Sequence, residues 1–167
     1  METFNTQQAI KHIRIVLVVF IVLLVLSGVT AFPIETELGL LVQFKSLFPL
    51  LFQQWITSVC KAVSDTNKMY PYLSYGTDWL AFAHLVIAVV FIGPLKDPVK
   101  NIWVVQFGMI ACAMIFPLAF IAGHIRGIPF FWQLIDCSFG LFGFLPLYYC
   151  YRKICLLETY TPYTTIK

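Results

Sequence analysis

Ile102–Ala122 reads IWVVQFGMIACAMIFPLAFIA, a run of 21 residues without a charged side chain. A hydrocarbon core about 30 Å thick is crossed by roughly 20 helical residues, because an α-helix rises about 1.5 Å per residue. This stretch is therefore predicted to span a membrane as a helix. The whole chain has the same character, since 60% of its 167 residues are hydrophobic and 11% are charged. That charged share is less than half of the roughly 25% that is typical of soluble domains.

Three further stretches are long and apolar enough to cross a bilayer in the same way. The pattern predicts an all-α, polytopic membrane protein, a four-transmembrane-helix bundle that forms a single integral membrane domain over residues 1–167. The first apolar run is longer than the core of a signal peptide, so we expect it to stay as a mature helix. The predicted transmembrane helices are residues 13–32, 77–95, 102–122 and 129–151.

Residues 38–60 are also apolar, but they include Lys45, Pro49, Gln53 and Gln54. A lysine at the centre of a transmembrane helix costs about 2.5–3.5 kcal/mol, and the proline and the two glutamines add to that cost. We therefore predict an interfacial or re-entrant amphipathic helix in the first, non-cytoplasmic loop. A fifth span is the alternative, and it would reverse the orientation of everything that follows.

Lysine and arginine residues beside the ends of the predicted spans gather on one side of the four-span topology. Cytoplasmic loops are enriched in these residues, so this side, with both chain termini, is predicted to be cytoplasmic. A five-span topology would divide the same residues between the two faces. They are Lys11 and Arg14 before the first span, Lys96 and Lys100 between the second and third, and Arg152 and Lys153 after the fourth.

Charge and cysteine usage exclude several classes of function. The formal net charge of +3 comes with no basic stripe, so nucleic acid is not an expected partner. The five cysteines are odd in number and include no C-x-x-C pair, and we interpret them as small hydrophobic residues. No metal motif such as H-E-x-x-H occurs, and no metal site is predicted.

Ionisable groups inside a membrane are expensive, so each of them is a candidate functional residue. They lie within the predicted spans or at the predicted outer rim, and the cytoplasmic halves of the spans contain almost none. We predict seven ligand-binding residues, namely Asp78, His84 and Asp136 within the spans and Glu35, Glu37, His124 and Arg126 at the rim.

His84 and Asp136 each lie seven residues into their predicted spans, which is about 10 Å of helix. Matching depth on two helices favours an Asp–His pair, which would give each buried polar group a partner. Asp136, Gly140 and Gly143 share one helix face, and small residues allow a neighbouring helix to approach closely. We expect this face to point into the bundle.

Structural roles are also open for several of these residues. Asp78 lies in the first turn of its predicted span, where an acid stabilises the positive end of the helix dipole and Thr77 would be the N-cap. The two rim acids near Arg126 are expected to form a salt-bridge latch or the mouth of a pocket. In a pocket, Arg126 would bind an anionic headgroup.

Four functions are compatible with this pattern. The first is binding of a lipid-like or amphipathic small molecule in an apolar cavity of the outer half of the bundle, within membrane lipid. The second is an intramembrane enzyme in which aspartate orients a histidine base, with Cys137 or Ser138 as the available nucleophiles. The third is a haem b protein with His84 and His124 as axial ligands, although their predicted depths differ by about 10 Å. The fourth is a structural or assembly subunit of a larger membrane complex, and a homo-oligomer is also open.

The layout of four spans with a long first loop and a short second loop resembles that of the four-helix EXPERA-domain sterol-binding proteins. Those proteins also contain a cavity with acidic residues. The resemblance covers the architecture only, and no functional residue is carried over to this sequence. Ligand, reaction and cofactor are not specified by the residues themselves.

Overall fold

The protein is mainly helical over residues 5–160, which are the residues that the computed structural model describes, and this part contains no strand. The all-α prediction is thus confirmed. Short 3₁₀ turns occupy Lys45–Leu47 and Pro71–Leu73. The α-helices are α1 (Thr6–Ala31), α2 (Ile34–Gln43), α3 (Leu50–Met69), α4 (Tyr75–Val90), α5 (Ile92–Lys96), α6 (Ile102–Ile125) and α7 (Phe130–Tyr160).

Four helical segments are long and apolar enough to cross a membrane, which confirms the predicted number of candidate spans. Between 17% and 28% of the residues in their most apolar windows are buried. Most residues of these windows are therefore at least partly exposed although they are apolar, which is compatible with a multi-pass membrane protein. The segments are Thr6–Ala31, Pro71–Lys96, Ile102–Ile125 and Phe130–Tyr160.

The first and the last of these helices in the chain are longer than predicted. α1 begins seven residues before Ile13, and α7 continues nine residues beyond Tyr151, to Tyr160. Hydropathy marks only the apolar part of a helix, whereas lysine, arginine and glutamate are good helix formers and extend it. The early start also has a cap, because the Asn5 side chain accepts a hydrogen bond of 3.1 Å from the Gln8 backbone N–H.

The predicted single helix over residues 38–60 is wrong, because α2 and α3 form a helical hairpin there. Pro49 precedes α3, and a proline disfavours helical geometry at the residue before it. Phe48 accordingly has an extended ψ of 160°. Leu38 of α2 and Ile56 of α3 are the buried residues of this hairpin, at 8% and 1% exposure.

The chain divides into two compact units. The first unit contains the described residues up to Ile21 and those from Val89 onward, and the second is Val22–Ala88. The core of the first unit lies among the beginning of α1, α6 and α7. Its fully buried side chains include Ile13, Leu17, Phe91, Val104, Val105, Leu147, Cys150 and Ile154.

Two glycines of α7 lie directly against α6. A Cβ atom on Gly140 would lie 2.7 Å from the Cys112 carbonyl oxygen, and one on Gly143 would lie 2.8 Å from Cys112 Sγ. The expected small-residue face of α7 therefore contacts a neighbouring helix. In the second unit, Gly28 of α1 meets α4 in the same way, with 2.8 Å between its hypothetical Cβ and the Ala81 carbonyl oxygen.

We predict that Gly140→Ala lowers the free energy of unfolding by about 1–3 kcal/mol, because the added methyl group overpacks the contact with the Cys112 backbone. Gly39→Ala is the control, since Gly39 is also helical and has nothing within 4 Å of its hypothetical Cβ. Thermal unfolding in detergent measures both variants. Equal or higher stability of Gly140→Ala relative to Gly39→Ala would contradict the close contact.

Candidate functional site

The candidate site is a depression of about 270 Å³ on α6, α7 and the turn between them. We refer to it as the α6–α7 depression. Among the described residues, its lining is apolar except for one carboxyl group and one guanidinium. The lining residues are Ile115, Leu118, Ala119, Ala122, Gly123, Arg126, Ile128 and Asp136.

Two close contacts between α6 and α7 lie on either side of the depression. At one end, the lining residue Gly123 packs against Gln133, whose Cγ would be 2.9 Å from a Cβ on the glycine. Beyond the other end, Gly140 packs against Cys112. Asp136 lies between these contacts along α7, and the small residues Ala119 and Ala122 lie between them along α6. The depression is thus the space left between two points where the helices touch.

The α6–α7 turn is held by backbone hydrogen bonds that end α6. Gly127 adopts a φ of +68°, the left-handed conformation that favours glycine. The Ile128 N–H donates to the Gly123 carbonyl at 2.9 Å, and the Gly127 N–H donates to the His124 carbonyl at 3.1 Å. These are the two bonds of a Schellman motif, and they fix where Arg126 leaves the helix.

Asp136 and Arg126 line the same depression without pairing directly. Asp136 is half-buried and Arg126 is exposed. Over residues 5–160, the ion pair within 4 Å is that of Lys100 with Asp97, at 3.5 Å. Within that range neither Asp136 nor Arg126 makes a side-chain hydrogen bond, so both groups have unused polar capacity at the depression.

Gln133 also belongs to this region. It was not among the predicted site residues, because those were selected for ionisable side chains and glutamine is uncharged. Its side chain is 6% exposed, and its Nε2 donates to the Ile128 carbonyl oxygen at 2.7 Å. This bond ties the start of α7 to the preceding turn and holds the contact with Gly123. Its spacing in the sequence could have indicated it, because Gln133 and Asp136 are three residues apart and so share a helix face.

His84 belongs to the second unit and is half-buried on α4. Its Nδ1 lies 2.8 Å from the Leu80 carbonyl oxygen. Since a carbonyl only accepts, Nδ1 is the donor and Nε2 is left for another partner. His84 also lies at the α1–α4 contact, because its Cβ would be 3.2 Å from a Cβ on Gly28.

The structure changes the helix positions on which the His84–Asp136 pair was based. α4 begins at Tyr75 and α7 at Phe130, so His84 is nine residues from its helix start and Asp136 is six. The equal counts of seven no longer hold. The pair itself stays a prediction.

Asp78 lies in the first turn of α4, as expected of an acid near the positive end of a helix dipole. Thr77 is wrong as the N-cap, because α4 begins two residues earlier, at Tyr75. His124 lies in the last turn of α6, where a basic residue interacts favourably with the C-terminal carbonyls.

Glu35 at the start of α2 has partners on α3. Asn67 Nδ2 donates to Glu35 Oε2 at 2.8 Å, and the Ser74 hydroxyl donates to Asn67 Oδ1. The hydrogen bonds from Asn67 and Ser64, with a smaller contribution from the Lys68 charge, lower the pKa of the Glu35 carboxyl below its ordinary value. Glu37 lies in the first turn of the same helix, where its negative charge interacts favourably with the positive end of the helix dipole.

Metal-ligand clusters do not occur in the described part of the chain, where no three His, Cys, Asp or Glu residues are grouped closely enough to hold an ion. Comparison of the chain with protein-family models, with curated proteins and with solved structures finds no match. The chemistry of the α6–α7 depression is therefore the basis for a functional proposal.

The Glu35–Asn67 contact predicts a specific pH dependence of hairpin stability. Because the pKa of Glu35 is lowered on folding, its contribution is complete above its ordinary pKa and is lost as pH falls through the lowered value. Asn67→Ala is expected to increase hydrogen exchange of α2 and α3 at neutral pH, and this difference should shrink in acid.

The control is Glu37→Gln, which removes an acid from the same helix and leaves the Asn67 contact in place. A difference between Asn67→Ala and the parent protein that is constant with pH would show that Asn67 does not act through the Glu35 carboxylate.

Proposed function

We propose that this chain is a multi-pass membrane protein that binds a lipid-like or amphipathic small molecule in the α6–α7 depression. The observation that carries the proposal is a half-buried carboxyl group, Asp136, on an apolar helix. It has no hydrogen-bond partner within residues 5–160, and it shares the depression with the guanidinium of Arg126. An ionisable group in a membrane span is costly to keep without a partner, so a ligand is the natural source of one.

The lining limits the chemistry of this ligand. The Asp136 carboxyl accepts hydrogen bonds from a hydroxyl or ammonium group, and the Arg126 guanidinium donates in a fork to a carboxylate or phosphate oxygen. A volume of about 270 Å³ is slightly below the roughly 300–1,000 Å³ of most ligand pockets. It suits the polar end of an amphipathic molecule, whose apolar part would lie along the exposed Leu118 side chain and in lipid.

The topology that we propose has both termini in the cytoplasm, and the depression would then lie in the outer half of the membrane. It rests on the lysine and arginine residues near the span ends. In this topology the α2–α3 hairpin lies in the outer interface. The turn of the hairpin supports this, because it exposes Phe44, Leu47, Leu50 and Leu51, and Leu47 is 79% exposed. Apolar side chains outside the spans bind the interface in this way.

The ligand proposal predicts that Asp136→Asn and Arg126→Gln each lose the bound amphiphile. A hydrogen bond to a charged group contributes about 1.5–3 kcal/mol, so occupancy should fall by about tenfold or more when it is not saturating. Mass spectrometry of the molecules that copurify with the full chain in mild detergent measures the amount per protein.

Matched controls exist on α7. Glu158→Gln neutralises an acid and Arg152→Gln removes an arginine, both at exposed positions outside the depression. These variants should retain the parent level of ligand. The same amphiphile content in all four variants, or none in the parent protein, would contradict the proposal.

The proposed topology predicts the labelling of single cysteines by a membrane-impermeant maleimide, in a background whose five cysteines are alanine. In intact cells, Lys61→Cys on α3 should react, and Lys100→Cys should react only after permeabilisation. Leu47→Cys should react slowly under both conditions, because lipid shields it. The reverse pattern for the two lysine positions contradicts the orientation, and rapid labelling of Leu47→Cys contradicts insertion of the hairpin.

A further inference from the structure

A second concave region lies at the beginning of α1, in the first unit. The described residues that line it all lie on α1, and they are Gln7, Ile10, Lys11, Arg14 and Ile15. Lys11 and Arg14 are three residues apart, so both cations lie on one helix face. None of these described lining residues is acidic. The region is distinct from the α6–α7 depression and has no role in the proposed function.

Arg14 is held in place by neutral acceptors. Its Nε donates to the Leu95 carbonyl oxygen at 3.2 Å, and its Nη2 donates to the Lys96 carbonyl oxygen at 3.4 Å. These carbonyls belong to the end of α5, where a cation also interacts favourably with the helix dipole. The two bonds orient the guanidinium without neutralising its charge. Three of its five N–H donors remain for another acceptor.

Neither cation is neutralised by the described part of the protein. Lys11 and Arg14 have no carboxylate within 4 Å there, whereas Lys100 is paired with Asp97. Like charges one helical turn apart destabilise each other. An anion that contacts both would remove this repulsion and use the donors that Arg14 has left.

The surroundings indicate which kind of anion fits. The long apolar run of α1 begins beside Arg14, so the two cations lie where a span reaches the headgroup level. Ile10 and Ile15 add apolar surface beside them. Basic groups at the cytoplasmic end of a span attract anionic lipids, and an arginine fork matches phosphate oxygens.

We propose that Lys11 and Arg14 form a binding site for a phosphate group, supplied by an anionic phospholipid headgroup or by a soluble phosphate compound. Lys11 contributes a mobile charge, and Arg14 contributes donors that the α5 carbonyls orient. Gln7 adds a neutral hydrogen-bonding group at the same face.

Native mass spectrometry of the full-length protein tests this site with three probes, namely phosphatidylglycerol, phosphatidylcholine and inorganic phosphate. The parent protein should bind phosphatidylglycerol more tightly than phosphatidylcholine. Lys11→Gln should weaken phosphatidylglycerol binding about fivefold, which corresponds to about 1 kcal/mol for one basic residue near an anionic surface. Lys11 is the variant of choice because Arg14 also holds the end of α5.

The matched control is Arg152→Gln, which removes one exposed positive charge at the same predicted membrane face and lies outside the concave region. It should leave phosphatidylglycerol binding unchanged. Inorganic phosphate that displaces the lipid at similar concentration supports the site and identifies a soluble source, whereas no displacement supports a lipid source. An equal loss in both variants shows diffuse charge attraction and overturns the proposal, as does no loss in Lys11→Gln.

Discussion

The close approach of α6 and α7 at Gly140 is the contact on which the first unit depends. Without a Cβ at this position, the α7 backbone lies against the Cys112 carbonyl oxygen, where any larger residue would have its Cβ within 2.7 Å of that atom. Water does not drive helices together inside a bilayer, so packing of this kind and hydrogen bonds must do so. The Gly140 contact, together with that of Gly123 and Gln133, determines where the two helices separate and hence where Asp136 meets open space.

The polar side chains of the apolar helices differ in whether their own helix supplies a hydrogen-bond partner. His84, Ser138 and Thr159 use carbonyl oxygens of the preceding turn of their own helix, at 2.8, 2.6 and 3.0 Å. Such bonds need no neighbouring helix and no ligand. Asp136 has no equivalent bond within residues 5–160, and a carboxylate cannot form one with a carbonyl because both groups only accept. This difference in chemistry is why Asp136, and not His84, Ser138 or Thr159, carries the functional proposal.

Much of the architecture could be predicted from the sequence, because an uncharged apolar run of about 20 residues matches the thickness of a bilayer and exceeds what most soluble cores can bury. The number of candidate spans and the contact made by the glycine face of α7 are found as predicted. The helix ends are not, because the charged residues that stop a hydropathy window do not stop a helix, as the continuation of α7 from Tyr151 to Tyr160 shows. The break at Pro49 was not predicted either, although proline restricts the residue before it.

The geometry of the candidate site was less predictable, for a related reason. The free-energy cost of an ionisable group in lipid identifies such residues one at a time, and it does not separate Asp136 and Arg126 from the five other predicted site residues, which do not line the depression. It does not identify Gln133, which is uncharged, or the Gly127 turn, whose effect depends on backbone geometry. Those two features hold the turn that follows Arg126 and the start of the helix that carries Asp136. A single charged residue can be recognised from the free energy that its placement in lipid costs. The shape of a depression between two charged residues depends instead on how the surrounding residues pack.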